Sequence, residues 1–516
     1  MAASKLLLYI WLTAVVFRFL WVLLPQTGYI YPDEFFQATE ITAGDIFGYR
    51  HTRTWEWNEG FPVRSPVFPY VFTGVPFYVL KLSFVASTIT SRILIVAPRL
   101  FMTFASLMID VAVYKICHHL RMDPAPPLCF FGSSFVTLVF YTRTFSNTAE
   151  SILFALLLLL VISSMSNGNI TRSKTDYLRY FLMGTLVTLG IWIRPTFVAF
   201  ACVPLLWWFV DIFNLKWTFE KKVVALIRHM LAQCAFVGLG GVVAMIILTL
   251  VDSYYYGYLH RGGIVLTPLN FILYNLDTSS LREHGLHPRF MHFAVNLPLL
   301  FGPMALGLYT VIAYLLIRRK FTDYAKVLLS TRKLYKDKDI LIDDDYKAQF
   351  IWSLLLCSIV ASMALLSFIP HQEPRFISPV LLPLVILFAR CLKGSSVTPV
   401  ALLSWLIWNI LGCTVFGLMH QGGVYPCLAY LQHYLHNAES LQTSGTVYHV
   451  TFHRTYMPPQ HLLAWALMSH EREGNLYHSL ALYDFKGSSK DALKVHVEKL
   501  ISGQFESHDR ESEVRK

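Results

Sequence analysis

Two adjacent carboxylates, Asp33 and Glu34, stand in the stretch YPDEFFQ at 31–37, just after a long apolar run. A positioned carboxylate can take a proton from a substrate hydroxyl or return one. The pair also has an ordinary reading. Pro32 suits the first turn of a helix, and acidic residues beside it complement the positive end of the helix dipole. Other charged and polar groups recur where apolar runs end. YTRTFSNTAE carries Arg143, Asn147 and Glu150, IWIRPTF carries Arg194, and FIPHQEPRFISP carries His371, Glu373 and Arg375. VDSYYYG and LMHQGG add Asp252 and His420. Taken singly, each has a plain explanation. Arg143 can pair with Glu150, Arg194 can snorkel to the interface, and the His-Gln-Glu-Pro-Arg turn can be a solvated loop.

The elements that must position these groups are membrane helices. The chain has 516 residues, 55% of them hydrophobic and only 15% charged. Soluble domains carry roughly 25% charged residues. Apolar runs occupy 6–24, 67–86, 93–117, 128–141, 151–164 and 178–193, then 197–210, 229–251, 293–317, 350–369, 377–389 and 400–418. About a dozen spans follow, some too short to cross a bilayer unaided. The first reads as a signal-anchor, because no small-residue cleavage pattern follows it. The net charge of +11 does not mark a nucleic-acid binder. Lys and Arg gather in short loops between the runs, as the positive-inside rule requires.

Those loops set the orientation. The segment 318–347 holds nine Lys or Arg residues and is expected to be cytosolic, as are the basic loops 171–179 and 216–228. Counting outward places Arg143, Arg194, the 252–292 loop, the His371–Arg375 turn and the tail after His420 together on the opposite face. Between residues 24 and 128 the count is ambiguous by one crossing. If 31–37 shares the face of the other clusters, one early segment must re-enter or fall short of spanning. Ionisable groups near membrane depth are expensive and usually functional. Five polar clusters on one face, with two carboxylates nearby, point to a shared site. Fixed arginines there suit a phosphate leaving group, because they present planar donors that never deprotonate.

Two patterns are set aside. KDKDILIDDDYK resembles the paired acids that hold a metal against a nucleotide-sugar, but it alternates with lysines in the cytosolic loop and reads as a solvated charged segment. Seven of the eight cysteines lie in or at the ends of apolar runs, with no disulfide or metal-ligand spacing.

The segments LLPQTGYIYPDEFFQ, FYTRTFSNTAES, RPTFVAF, LTPLNFILYN, HQEPRF, HQGG and TYMPP run in that order along the chain. Together they resemble the GPI mannosyltransferases of glycosyltransferase family 22, over about residues 20–463. One departure is Tyr31, where relatives usually carry His before Pro-Asp-Glu. The resemblance implies an all-α polytopic membrane protein of GT-C type. Residues 1–418 would form the transmembrane catalytic domain, with a first luminal loop at about 25–66, and 419–516 a luminal C-terminal region. It implies an endoplasmic reticulum enzyme with a luminal site and dolichyl-phosphate-mannose as donor. A GPI precursor lipid would accept a fourth, α1,2-linked mannose, with inversion at the anomeric carbon. No metal or other cofactor is expected. Asp33 matches the family's catalytic acid position and is expected to be the general base. Adjacent residues diverge on a helix or strand, so Glu34 would bind acceptor hydroxyls or orient the site. Arg194 and Arg375, with His371, are the expected phosphate clamp. Arg143, Asn147, Asp252, Glu373 and His420 would shape the acceptor side. A third-step GPI or N-glycan-precursor mannosyltransferase is the alternative within the class. A lipid transporter is the alternative outside it, although transporters commonly show internal symmetry between halves and none is visible here.

Overall fold

The computed structural model describes residues 2–24, 26–84, 88–165, 174–218, 223–276, 287–317, 340–392, 398–441, 447–465 and 479–502. Residues 318–339 of the most basic loop lie outside these, as do 171–173 and 219–222 of the other two and the sequon at Asn169. Among the described residues eight helices are long and apolar enough to cross a membrane, including Ser4–Leu23, Ser91–His119, Ser146–Ser164, Met230–Tyr255 and Lys347–Leu366. Leu231, Leu239, Ile246 and Ile247 on Met230–Tyr255 are exposed. In water that would be an unstable surface, and in a bilayer it is the lipid-facing one.

Several of the twelve apolar runs are not single spans. The run at 67–86 forms the seventeen-residue apolar helix Val67–Ser83. At 1.5 Å per residue that is roughly 25 Å, short of the roughly 30 Å hydrocarbon core. It is tied instead to the neighbouring helix Glu40–Phe47, through a Thr42–Thr73 hydroxyl pair at 2.7 Å and a bond from Lys81 to the Ile46 carbonyl. Arg92 also donates to the Leu23 carbonyl at 2.9 Å, which sets the start of Ser91–His119 beside the end of the first helix. The chain between them therefore leaves and rejoins the bundle at one face. This resolves the ambiguous crossing: the early segment falls short of spanning.

The run at 293–317 is likewise broken. Gly302 adopts φ +46°, and a Cβ there would meet the Trp408 ring at 2.6 Å. The backbone turns at this glycine into two short helices, Leu297–Phe301 and Pro303–Ile317. The run at 128–141 divides at Ser134, where Asn409 accepts the Phe135 N–H at 2.6 Å. Inside the bundle Arg18 and Asp110, both buried, form an ion pair at 2.9 Å, so the first helix is locked to Ser91–His119 by more than apolar contact. Removing one partner of such a pair strands a charge in lipid or protein interior.

The C-terminal region adds the only strands among the described residues. β1 (Val447–Phe452) and β2 (Ser479–Asp484) pair in parallel, with Val447 opposite Ser479 and Phe452 opposite Asp484. This region is not a free-standing appendage. Leu428, Phe452, Leu462, Trp465 and Leu480 share one hydrophobic cluster with Tyr29, Phe35, Ile46, Phe77 and Leu94. The first loop and the tail thus fold on each other. Glu40, fully buried, fastens them by accepting from the backbone N–H of Thr52 (2.9 Å) and Gln460 (3.0 Å) and by pairing with the His461 ring.

Candidate active site

The segment carrying Asp33 is held at both ends. Gly28 donates to the Gly417 carbonyl at 2.9 Å and Tyr29 to the His420 carbonyl at 2.7 Å. Gly28 is required for this approach, since a Cβ would lie 2.3 Å from the Phe416 carbonyl oxygen. His420 returns the contact through Nδ1 to the Tyr29 carbonyl, at 2.9 Å. Pro32 then opens a turn in which Phe35 and Phe36 donate to its carbonyl at 2.9 and 3.1 Å. The chain continues as a wide five-residue turn, Phe35–Thr39.

Within that turn the two carboxylates part. Asp33 lines a cavity of about 1200 Å³, and its side chain is 28% exposed. Glu34 points into the bundle and is 1% exposed. It accepts from Arg99 Nε at 2.7 Å and from Arg143 Nη1 at 2.9 Å. Burial alone would raise the Glu34 carboxyl, but the two guanidinium groups more than offset it and hold it below its usual value. Glu34 is therefore the anchor of the segment, and it is not available to an acceptor sugar.

Arg375 meets Asp33 across the cavity wall. Its Nη2 donates to Asp33 Oδ2, and its Nε donates to Glu373 Oε2 at 2.5 Å. His371 Nε2 sits 3.1 Å from the other Glu373 oxygen. The guanidinium lies over the Tyr31 ring at 4.6 Å and near Phe376 at 5.5 Å. Tyr31 is thus a cation–π floor for Arg375. Burial pushes the Glu373 carboxyl up, yet Arg375 and His371 outweigh it and hold the group well below 4.5.

Arg194 lines the same cavity with its guanidinium 4.9 Å from the Phe376 ring. It donates to Ser146 Oγ at 3.1 Å and pairs with Glu150 at 3.5 Å. Asn147 and Thr196 donate to the same Glu150 carboxylate at 3.2 and 3.1 Å. Asn147 therefore acts on the cavity only through Glu150 and Arg194.

Of the ten residues singled out in the sequence, Asp33, Arg194, His371, Glu373 and Arg375 line one cavity. Glu34, Arg143, Asn147, Asp252 and His420 do not. Arg143 is fully buried against Glu34. Asp252 is buried under three donors, Ser65 (2.6 Å), Thr267 (2.6 Å) and Trp192 (3.1 Å), and pins the loop before Val67–Ser83 to the helix Val223–Tyr255. His420 braces Tyr29. These stand behind the cavity wall and not on it: Glu34, Asp252 and His420 are engaged by protein partners, while Arg143 Nε and Nη2 and Asn147 Oδ1 are buried without one among the described residues.

Sequence reasoning passed over Gln37, Glu56, Arg64 and Arg99. Gln37 Nε2 donates to Asp33 Oδ2 at 2.8 Å and to Glu56 Oε1 at 3.3 Å, and Glu56 is held by Arg64 Nε at 2.8 Å. Gln37 follows Asp33 by one helical turn, a spacing that could have flagged it. Arg99 is a charge within a 29-residue apolar helix, and that alone was a signal. Among the described residues, both hydrogen bonds to Asp33 fall on Oδ2. Among the described residues no group of three His, Cys, Asp or Glu side chains comes together that could hold a metal.

The chain folds as an all-α polytopic membrane bundle, and a solved membrane protein shares that fold. ArnT from Cupriavidus metallidurans, solved bound to undecaprenyl phosphate, has this fold. It aligns over 96% of this chain and 88% of its own with a TM-score of 0.51 at 14% identity. The chain belongs to the Alg9-like mannosyltransferase family, which its residues 9–464 match. The human GPI alpha-1,2-mannosyltransferase 4 is 36% identical over 468 residues, 88% of this chain and 76% of that protein. The GPI mannosyltransferase 4 of Drosophila melanogaster is 30% identical over 95% of this chain and 77% of its own.

Proposed function

We propose that this protein transfers mannose from dolichyl-phosphate-mannose to a GPI-anchor precursor, adding a fourth, α1,2-linked mannose with inversion. The site would face the lumen of the endoplasmic reticulum. The acceptor hydroxyl oxygen attacks the anomeric carbon, the bond from that carbon to the phosphate oxygen breaks, and the hydroxyl proton passes to Asp33. The lipid phosphate leaves as an anion. One displacement of this kind turns the donor's β-linkage into an α-linkage. It needs one base and a counter-charge for the leaving group.

The observation that carries this reading is the contrast between the two adjacent carboxylates. Asp33 lines the cavity with Oδ1 unengaged by the described residues, while Glu34 is buried between two arginines. Arg375 and Arg194 are the groups we assign to the donor phosphate, with His371 behind them through Glu373. The names of the relatives support the GPI acceptor, and the arginines that line the cavity support a donor with a phosphate leaving group.

Purified protein given labelled donor lipid and a panel of GPI precursors tests the proposal. A three-mannose precursor should become a four-mannose one, with the new linkage cleaved by an α1,2-mannosidase, while a two-mannose precursor is left alone. Conversion of the two-mannose form instead would make this the third-step enzyme. Movement of lipid between leaflets with no mannose transfer would make it a transporter.

A further inference from the structure

The cavity wall opposite the arginine clamp is built by the C-terminal region. The helix-ending turn after Met419 contributes Gln421, and the two strands contribute Arg454 and Lys486. Arg454 lies two residues beyond the end of β1 and Lys486 two residues beyond the end of β2. The strands are parallel with Phe452 opposite Asp484, so the two cations stand abreast. The frame beneath them is fixed. Phe485 donates to the Phe452 carbonyl at 2.8 Å, and Arg454 to the Lys486 carbonyl at 2.6 Å.

The backbone at this wall is unusual. Five described non-glycine residues have positive φ, namely Arg121, Gln421, Arg454, Ala464 and Lys486. Three of the five line this cavity: Gln421 (φ 51°), Arg454 (φ 58°) and Lys486 (φ 42°). Glycine would occupy such positions without penalty, yet each holds a long polar side chain. Strained residues of this kind gather where a site needs their side chains.

Charge separates this wall from the clamp. The other cations lining the cavity are matched, Arg64 by Glu56, Arg194 by Glu150, and Arg375 by Asp33 and Glu373. Among the described residues, the side chains of Arg454 and Lys486 form no ion pair. Asp484, the nearest acid to Lys486 in sequence, accepts that residue's backbone N–H at 3.0 Å. Asp484 feels the Lys486 charge, yet neither cation is ion-paired among the described residues. Two such cations abreast at a cavity wall form a receptor for an anion of two charges or fewer, and phosphate fits both the charge and the donor count.

We propose that Gln421, Arg454 and Lys486 form a second phosphate subsite, which binds a phosphate carried by the acceptor and so helps select it. This rests on the mannosyltransferase reading for the identity of the acceptor. The arginine clamp serves the donor phosphate and this wall serves the acceptor, so each lipid substrate is held by its own anion. Lys486 lies beyond residue 464, where the family match ends.

The test uses the full-length protein in nanodiscs, with R454G/K486G as the main variant and R454K/K486R as the conservative one. Glycine at positive φ relaxes the backbone, so the first variant removes charge without endangering the fold. The readout is the ratio of kcat/KM for a three-mannose acceptor bearing phosphate to that for a phosphate-free synthetic trimannoside. R454G/K486G should lower that ratio by about 10- to 100-fold, the effect of losing charge-assisted bonds worth roughly 1.5–3 kcal/mol. R454K/K486R should keep most of it, and donor KM should move little in either. An unchanged ratio, or an equal loss on both acceptors, overturns the subsite. Loss seen only in discs containing anionic lipid would assign the cations to a bilayer headgroup and overturn the acceptor assignment. Titration with glycerophosphoinositol provides a readout free of turnover. Weaker binding in R454G/K486G supports the subsite even if no mannose transfer is found, and equal binding sinks it.

Discussion

Asp33 and Arg375, 342 residues apart in sequence, share a charge-assisted hydrogen bond at the cavity wall. The general base and the phosphate clamp of the proposed reaction are therefore direct partners. Because Arg375 also holds Glu373, a donor phosphate must compete with two carboxylates for one guanidinium. Any shift of Arg375 toward phosphate loosens its hydrogen bond to Asp33. Donor binding and the placement of Asp33 are coupled through a single side chain.

Asp33→Asn should keep the fold, because Arg375 retains Glu373 and Gln37 retains Glu56. Turnover should fall by about 10²–10⁴-fold, the usual effect of losing a positioned base. Initial rates with saturating donor check this, with melting temperature as the control. A variant that stays active removes Asp33 from the mechanism.

Glu34→Ala should fail differently. It leaves Arg143 and Arg99 buried without their carboxylate, and breaking such a pair costs about 3–5 kcal/mol. The expected result is a large drop in melting temperature or loss of folded material, and Glu34→Gln should be milder. A normally stable Glu34→Ala with dead chemistry would mean that Glu34 contacts substrate after all.

Arg375→Lys keeps the charge but loses the planar fork and the stack on Tyr31. Donor use should fall at least about tenfold, in line with roughly 1.5–3 kcal/mol for a hydrogen bond to a charged group. Donor KM and kcat measured at fixed acceptor decide it. Unchanged values here and in Arg194→Lys would make both arginines structural.

Glu373 gives the molecule a pH signature. Its carboxyl is held below 4.5 in the folded state by Arg375 and His371. Its contribution to stability is therefore fully present above about 4.5 and is lost as pH falls further toward its folded value. Thermal melts of the wild type and Glu373→Gln should differ most near neutral pH and converge as the pH is lowered below that range. A gap that is constant with pH would contradict the assignment.

The sequon Asn169-Ile-Thr171 lies beside a basic loop and should carry no glycan. A glycosidase-sensitive mobility shift that vanishes in Asn169→Gln would invert the orientation.

The membrane class and the cavity-lining Asp33, Arg194, His371, Glu373 and Arg375 were legible in the sequence. A charge beside an apolar run is conspicuous whatever the packing. The early topology was not legible, because Val67–Ser83 is apolar enough to suggest a crossing and only its ties to Glu40–Phe47 show otherwise. Burial was equally hidden. Asp252 and Arg143 look like site residues in one dimension, and only their protein partners reveal them as supports. Glu40 and His461 were missed because their pairing spans 421 residues and leaves no local pattern.

That last pairing has a consequence for how the protein is made. Segment 26–49, which carries Asp33, is made well before 424–484, against which it completes its core. Until then Glu40 has no His461, and Tyr29 and Phe35 lack the cluster partners Leu428, Phe452, Leu462 and Leu480. The first loop of each new chain therefore stays unfinished until 424–484 have been made. A stop upstream of β1 would leave that loop without Leu462, Trp465 and the His461 partner of Glu40.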